Sequence, residues 1–237
     1  MSAVNDAVVW LNDPLNWKGP QGIPALALEQ LGITAVAVGV GALVALPLAF
    51  VLGHYGRGGG FVVATSNVSR AVPTFALLVV FASTAIGFGN RATTVALIFF
   101  AIPPVLANAY TGIRGVDREV VEAARGMGLS ELQVLTRVEA PLAVPLVAAG
   151  FRTAAVQVVA TAPLAALVGG GTLGAIINNG FGNQNYGQVL AGGLLVAVLA
   201  LLVEAAFVLL QRALAPRRRS SRVRTRPVEP ADAVAVP

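Results

Sequence analysis

Five long apolar runs, separated by short polar stretches, dominate the pattern of this chain. They cover Leu31–Leu52, Phe61–Gly87, Ala92–Ile113, Pro141–Gly169 and Val189–Leu210. Each reaches the ~20 residues that a helix needs to cross a hydrocarbon core of about 30 Å. None shows the period-2 alternation of a barrel strand, and backbone groups in lipid must be satisfied within the segment. The pattern predicts an all-α polytopic membrane protein with about five transmembrane helices. Pro47, Pro73, Pro103, Pro104, Pro145 and Pro163 fall inside the runs, where they predict kinks or helix starts.

The second run is the most interrupted. Ser66, Asn67, Ser69 and Arg70 stand in its first half, so a start near Ala71 is the alternative; the longer run requires that polar face to point into the bundle. Residues 1–30, with Trp10, Trp17, Pro14, Pro20 and Pro24, read as an external segment at the membrane interface. Residues 31–212 form the transmembrane domain, and 213–237 a basic tail predicted to be disordered and to touch anionic lipid.

Composition agrees. Of 237 residues 56% are hydrophobic and 11% charged, with a mean hydropathy of +0.77, against about 25% charged in soluble domains. With no Cys and one His, disulfides, thiolate chemistry and a metal centre are excluded as readings. The pI near 10.7 does not indicate nucleic acid, because seven of the 16 basic residues cluster in Arg212–Arg226, where membrane topology explains them. No cleavable signal is expected, since the first 17 residues carry Asp6 and Asp13 and no basic stretch.

Orientation follows from the arginines. With five spans and the N-terminus outside, Arg57, Arg114, Arg118, Arg125, Arg137 and the seven of the tail are cytoplasmic, leaving Lys18 and Arg91 outside. Twelve against two is a strong positive-inside bias.

The charged island 114–141 carries the most specific signal. Asp117 is placed to cap a helix running to about Met127, and acidic residues in its first turn suit the helix dipole. Gly126 and Gly128 allow a tight turn. Ser130 followed by Gln133 is a capping-box arrangement that opens a second helix. Small Ala123 and Ala124 permit close approach by a partner, and Glu122 offers a fixed charge.

Glu122-Ala123-Ala124, three residues, Gly128, nine residues, then Val138-x-x-Pro141 resembles the coupling loop of ABC importer permeases, with Ala140 where Leu is commonest. That resemblance implies a cytoplasmic helix-turn-helix that docks into the ATPase subunit. It extends over roughly 17–207. Trp17-Lys18-Gly19-Pro20, Val72-Pro73-Thr74-Phe75, Ala109-Tyr110-Thr111-Gly112-Ile113 and Gly150-Phe151-Arg152-Thr153 are similar to the osmoprotectant branch, which imports glycine betaine, choline, carnitine or proline betaine. What it implies is a non-catalytic permease in the plasma membrane. Its partners would be a second permease subunit, ABC ATPase subunits that hold the ATP and Mg, and an extracytoplasmic substrate-binding protein. This chain itself would bind no cofactor. An ABC permease for an amino acid is the alternative, followed by an ion-coupled secondary transporter, for which Glu204 is the only carboxylate within the five runs.

Other candidates are weaker. Gly169-Gly170-Gly171-Thr172 lacks the Lys-Ser/Thr ending of a phosphate loop, and reads as a flexible break before an external re-entrant segment, Ala175–Phe181. Arg152 and Glu204 lie inside spans and can meet if tilt allows, as a structural pair or in the pathway. Arg70 snorkels or faces the bundle. Gln157, one turn beyond Arg152, is the best pathway candidate, ahead of Asn108 and Tyr110. His54 and Tyr55 read as interface anchors at the end of the first span.

Overall fold

A computed structural model describes residues 3–214; the side chains of Ser69, Arg70 and Leu214, and all of 215–237, including most of the basic tail, lie outside it. Among the described residues every regular element is helical. The helices are α1 (Ala3–Asn12), α2 (Ile23–His54), α3 (Gly59–Ala71), α4 (Thr74–Ala82), α5 (Asn90–Arg114), α6 (Arg118–Gly126), α7 (Glu131–Val134), α8 (Ala140–Thr161), α9 (Gly174–Gly182) and α10 (Tyr186–Leu214). Four stretches among them are long and apolar enough to cross a membrane: Ile23–His54, Asn90–Arg114, Glu131–Val168 and Tyr186–Ala213.

The second predicted span is not one helix. Val72 is extended (φ −80°, ψ 120°) between α3 and α4, because the ring of Pro73 disfavours helical backbone in the residue before it. The two halves still run beside α5: a Cβ on Gly59 would sit 3.0 Å from the Tyr110 hydroxyl, while Phe81 stacks on Phe99 at 5.6 Å. The pair thus lies along α5 as two short helices.

The first span begins earlier than the hydrophobic run suggests. Helix α2 starts at Ile23 with Pro24 in its first turn, and carries Glu29 and Gln30 inside it. Glu204 is therefore not the only carboxylate on a long helix. Nor is the N-terminal segment a separate appendage. Ala7 is buried, Trp10 and Leu11 pack against Ile23, Leu26, Leu173 and Ile176, and Asp6 abuts Gly187 at the start of α10. Asn16 and the Trp17 indole each donate at 2.7 Å to carbonyls at the end of α1, groups a helix leaves unpaired.

The core is alanine-rich: Ala37, Ala42, Ala45 and Ala49 of α2 meet Leu97, Ala101, Val105 and Ala109 of α5 and Ala154, Ala155 and Val158 of α8. Small side chains let these backbones approach. A Cβ on Gly53 would come within 2.8 Å of Ile113, and one on Gly150 within 2.9 Å of Asn108. α2, α5 and α8 form one packed layer, with α10 against α8 and α9.

The Gly169–Thr172 stretch is pinned, not a flexible break. Gly170 N donates to Ala165 O at 2.8 Å, Gly171 N to Asn90 Oδ1 at 3.0 Å and Leu173 N to Gln30 Oε1 at 3.1 Å. Asn90 Nδ2 also donates to Glu29 Oε1. Proline explains part of this knot. Pro163 has no N–H to give the Val159 carbonyl four residues earlier, and Gln30 Nε2 donates to it instead at 2.9 Å. Ala175–Phe181, read from the sequence as an external re-entrant segment, lies within α9.

Candidate functional site: the loop between α5 and α8

The loop folds around a small core of its own. Asp117 caps α6, accepting from Glu119 N at 2.9 Å. Ser130 and Gln133 form the expected capping box. Gly128 takes φ +85°, the left-handed region, while Gly126 closes α6. Val121, Ala124 and Val134 are buried together, with Val116, Leu129 and Val138 around them.

That core corrects one expectation. Ala124 is 2% exposed and fills the interior of the loop, so it is not free to meet a partner. Glu122 and Ala123 are exposed, as is Pro141. Beside them the apolar Val120, Met127 and Leu132 are exposed at 43%, 75% and 70%. Together with Ala123 they give a loop rich in charge an uncovered apolar surface.

α7 does not end before the following span. Leu135–Glu139 forms a π turn that carries the chain straight into α8, so Glu131 to Val168 is one helical run. The wider turn lets Ala140 N bond Leu135 O just ahead of Pro141, which has no N–H to offer.

The loop is tied to the bundle by residues that sequence reasoning passed over. His54 Nδ1 donates to Glu139 Oε2 at 2.5 Å, with both side chains buried. His54 Nε2 lies 2.9 Å from Glu131 Oε2, out of line for a hydrogen bond. Glu131 in turn receives Arg125 Nε at 3.0 Å and Nη2 at 2.9 Å, a bidentate pair across the turn. That hydrogen bond, supported by the charge of the carboxylate, raises the Arg125 pKa. Gly53, His54, Arg114, Arg118, Glu122 and Glu139 line a cavity of about 60 Å³ between the loop and the ends of α2 and α5. His54 is therefore not an interface anchor. The available signal was one His and one acid, each at the end of an apolar run.

Within the bundle, Arg152 Nε meets Glu204 Oε1 at 3.1 Å, and Arg152 Nη1 donates to Gln211 Oε1 at 3.4 Å. Gln157 is half-buried, its carbonyl accepting from Thr161 Oγ1 at 2.7 Å. Asn108 donates to the Pro104 carbonyl of its own helix at 2.8 Å. Arg70 lies on α3, its side chain outside the description. No group of His and acidic side chains suited to a metal occurs among the described residues.

Residues 37–220 match the family described as "Binding-protein-dependent transport system inner membrane component". The chain belongs to this family. It is 35% identical over 188 residues to the choline transport system permease protein OpuBB of Bacillus subtilis, covering 79% of this chain and 86% of that one. It is 36% identical over 189 residues to the carnitine transport permease protein OpuCB of Listeria monocytogenes, covering 80% and 86%. Its fold matches a chain of the inward-facing MetNI methionine ABC transporter with a TM-score of 0.72 at 23% identity, over 86% of this chain and all (100%) of the other. As a family member with four long apolar helical stretches among the described residues, it is a multi-pass inner-membrane permease of the ABC-importer type.

Proposed function

We propose that this chain is the non-catalytic permease subunit of an ATP-driven importer of quaternary-ammonium osmoprotectants. The observation that carries this reading is the extent of likeness to permeases named for choline and carnitine. Hydrolysis belongs to a separate ATPase that docks on the loop 114–141. The exposed apolar surface of Val120, Ala123, Met127 and Leu132 supports that docking, with Glu122 beside it. Gly128 and Val138 hold the loop in shape, and Pro141 follows the π turn that joins it to α8. The Arg bias sets the loop and the C-terminus in the cytoplasm and the N-terminus outside.

ATP closes the ATPase dimer, the docked loop moves, and the spans rock so that the pathway opens to each side in turn. A second permease subunit completes the pathway, and an extracytoplasmic binding protein delivers substrate. With only 6% aromatic residues, this chain suits a pathway, and the aromatic cage for the cation resides on the binding protein. Arg152, Gln157, Glu204 and Arg70 are the polar groups available to such a pathway.

Reconstitution with the ATPase, the binding protein and the second permease tests the reading. ATP-dependent uptake of labelled choline, glycine betaine or carnitine is expected, with no uptake of methionine. Methionine uptake without any quaternary-ammonium uptake would overturn the substrate class. The docking role is tested by Ala123→Trp and Glu122→Ala, which should release the ATPase subunit and lower uptake while the permease still inserts. Full ATPase retention and normal uptake in both would sink it.

A further inference from the structure

We propose that the His54–Glu139 contact fixes the orientation of the docked loop relative to α2, making both of them positioning residues for the transport cycle. The inference rests on the reading of the chain as an ATP-driven permease. Their side chains are 3% and 6% exposed and meet at 2.5 Å, although 85 positions separate them in sequence. A charge so enclosed is costly unless its partner is in place. The contact therefore holds only one geometry between the loop and the bundle.

Covalent links tie the loop to α5 and, through one continuous helical run, to α8, but not to α2. Three residues, Gly115 to Asp117, join α5 to α6 and fix where the loop begins without fixing its angle. Glu139 closes the π turn at the root of α8, and π turns often mark functional positions. His54 reaches that turn from the last residue of α2.

A second arm runs outward. The far side of the imidazole faces Glu131, which Arg125 of α6 grips through two nitrogens. Arg125, Glu131, His54 and Glu139 thus brace α6, α7 and the π turn against α2. The brace also reaches α5. One residue before His54, Gly53 lies so close to Ile113 that a Cβ would come within 2.8 Å, so α2 and α5 are in close contact at this level. A turn of the docked loop is then delivered to α2 and α5 together, instead of being absorbed in the link at Gly115 to Asp117.

The test uses the assembled complex and the absence of native cysteine. Leu43→Cys on α2 and Leu202→Cys on α10, at positions 75% and 61% exposed, carry spin labels outside the packed layer. The distance between them is measured without nucleotide and with ATP and vanadate. His54→Leu/Glu139→Leu replaces the pair with apolar groups, which spares the penalty of an orphaned charge. That variant is expected to keep the ATPase subunit and its hydrolysis. It should lose the ATP-driven distance change, lose stimulation by loaded binding protein, and import at least about tenfold less, the scale of a typical coupling energy.

Glu139→Gln keeps shape and one acceptor while removing the charge, and should lose roughly fivefold in uptake with a reduced distance change, the low end of the same scale. It decides the matter if the double variant fails to assemble. Either assembled variant with a wild-type distance change and wild-type uptake overturns the proposal. A wild-type complex that shows the ATP-driven change yet imports no quaternary ammonium would instead refute the substrate reading and leave the brace standing.

Discussion

Arg152 of α8 and Glu204 of α10 form an ion pair at 3.1 Å, their side chains 38% and 35% exposed. The pair stands on the flank of the chain, outside the sealed alanine core, and Gln211 extends it. Glu204→Ala strands the arginine and is expected to lower stability by roughly 1–3 kcal/mol, less than for a fully buried pair. Arg152→Met/Glu204→Leu, which removes both charges, should be close to neutral. Thermal unfolding of the purified complex compares the two, and equal losses would contradict the pairing argument.

Gly128 and Gly126 should respond differently to one methyl group. A Cβ at either meets nothing within 4 Å, so space is not the issue. Gly128 has φ +85°, and Gly128→Ala is expected to cost about 1 kcal/mol in backbone strain. Gly126 ends a right-handed helix, where Ala is tolerated. Thermal shifts of the two variants are the check, and a larger loss at Gly126 would refute it.

Gln30→Leu should be among the most damaging single changes. The side chain is fully buried (0% exposed) and joins the Val159 carbonyl to the Leu173 N–H. Both lose their partner, at roughly 1–3 kcal/mol each. Pro163→Ala in the same background supplies the missing N–H to Val159 and should recover part of the loss, as read by unfolding midpoint.

The orientation has its own check. Asn183→Cys, beyond α9, should react with an impermeant thiol reagent on intact cells, and Thr136→Cys, in the π turn, should not. The opposite pattern would place the loop on the wrong side for ATP.

Local rules reached the parts of this fold that depend on neighbours in sequence. The Asp117 cap, the Ser130–Gln133 box and the αL turn at Gly128 are each complete within a few residues, and each is present. Arg152 and Glu204 were foreseeable because charges in apolar runs have few partners. The break at Pro73 was visible as one proline among six, beside the alternative start near Ala71, but prolines such as Pro47 lie inside continuous helix. The start of α2 at Ile23 was hidden by Glu29 and Gln30, whose polarity looked like a boundary. Their partners, Asn90, Val159 and Leu173, lie far along the chain. His54 and Glu139 were illegible for the same reason: each is ordinary alone, and only the packing of α2 against the π turn joins them.

The seat of α1 has a consequence for biogenesis. Asp6 rests against Gly187, where a Cβ would come within 2.6 Å, so α1 completes its packing on α10. At translation rates of about 5–20 residues per second, roughly ten seconds or more separate their emergence from the ribosome. Throughout that interval the faces of Trp10 and Leu11 have no completed seat. Docking of α1 then acts as a closing latch, completed only after α10 has been made.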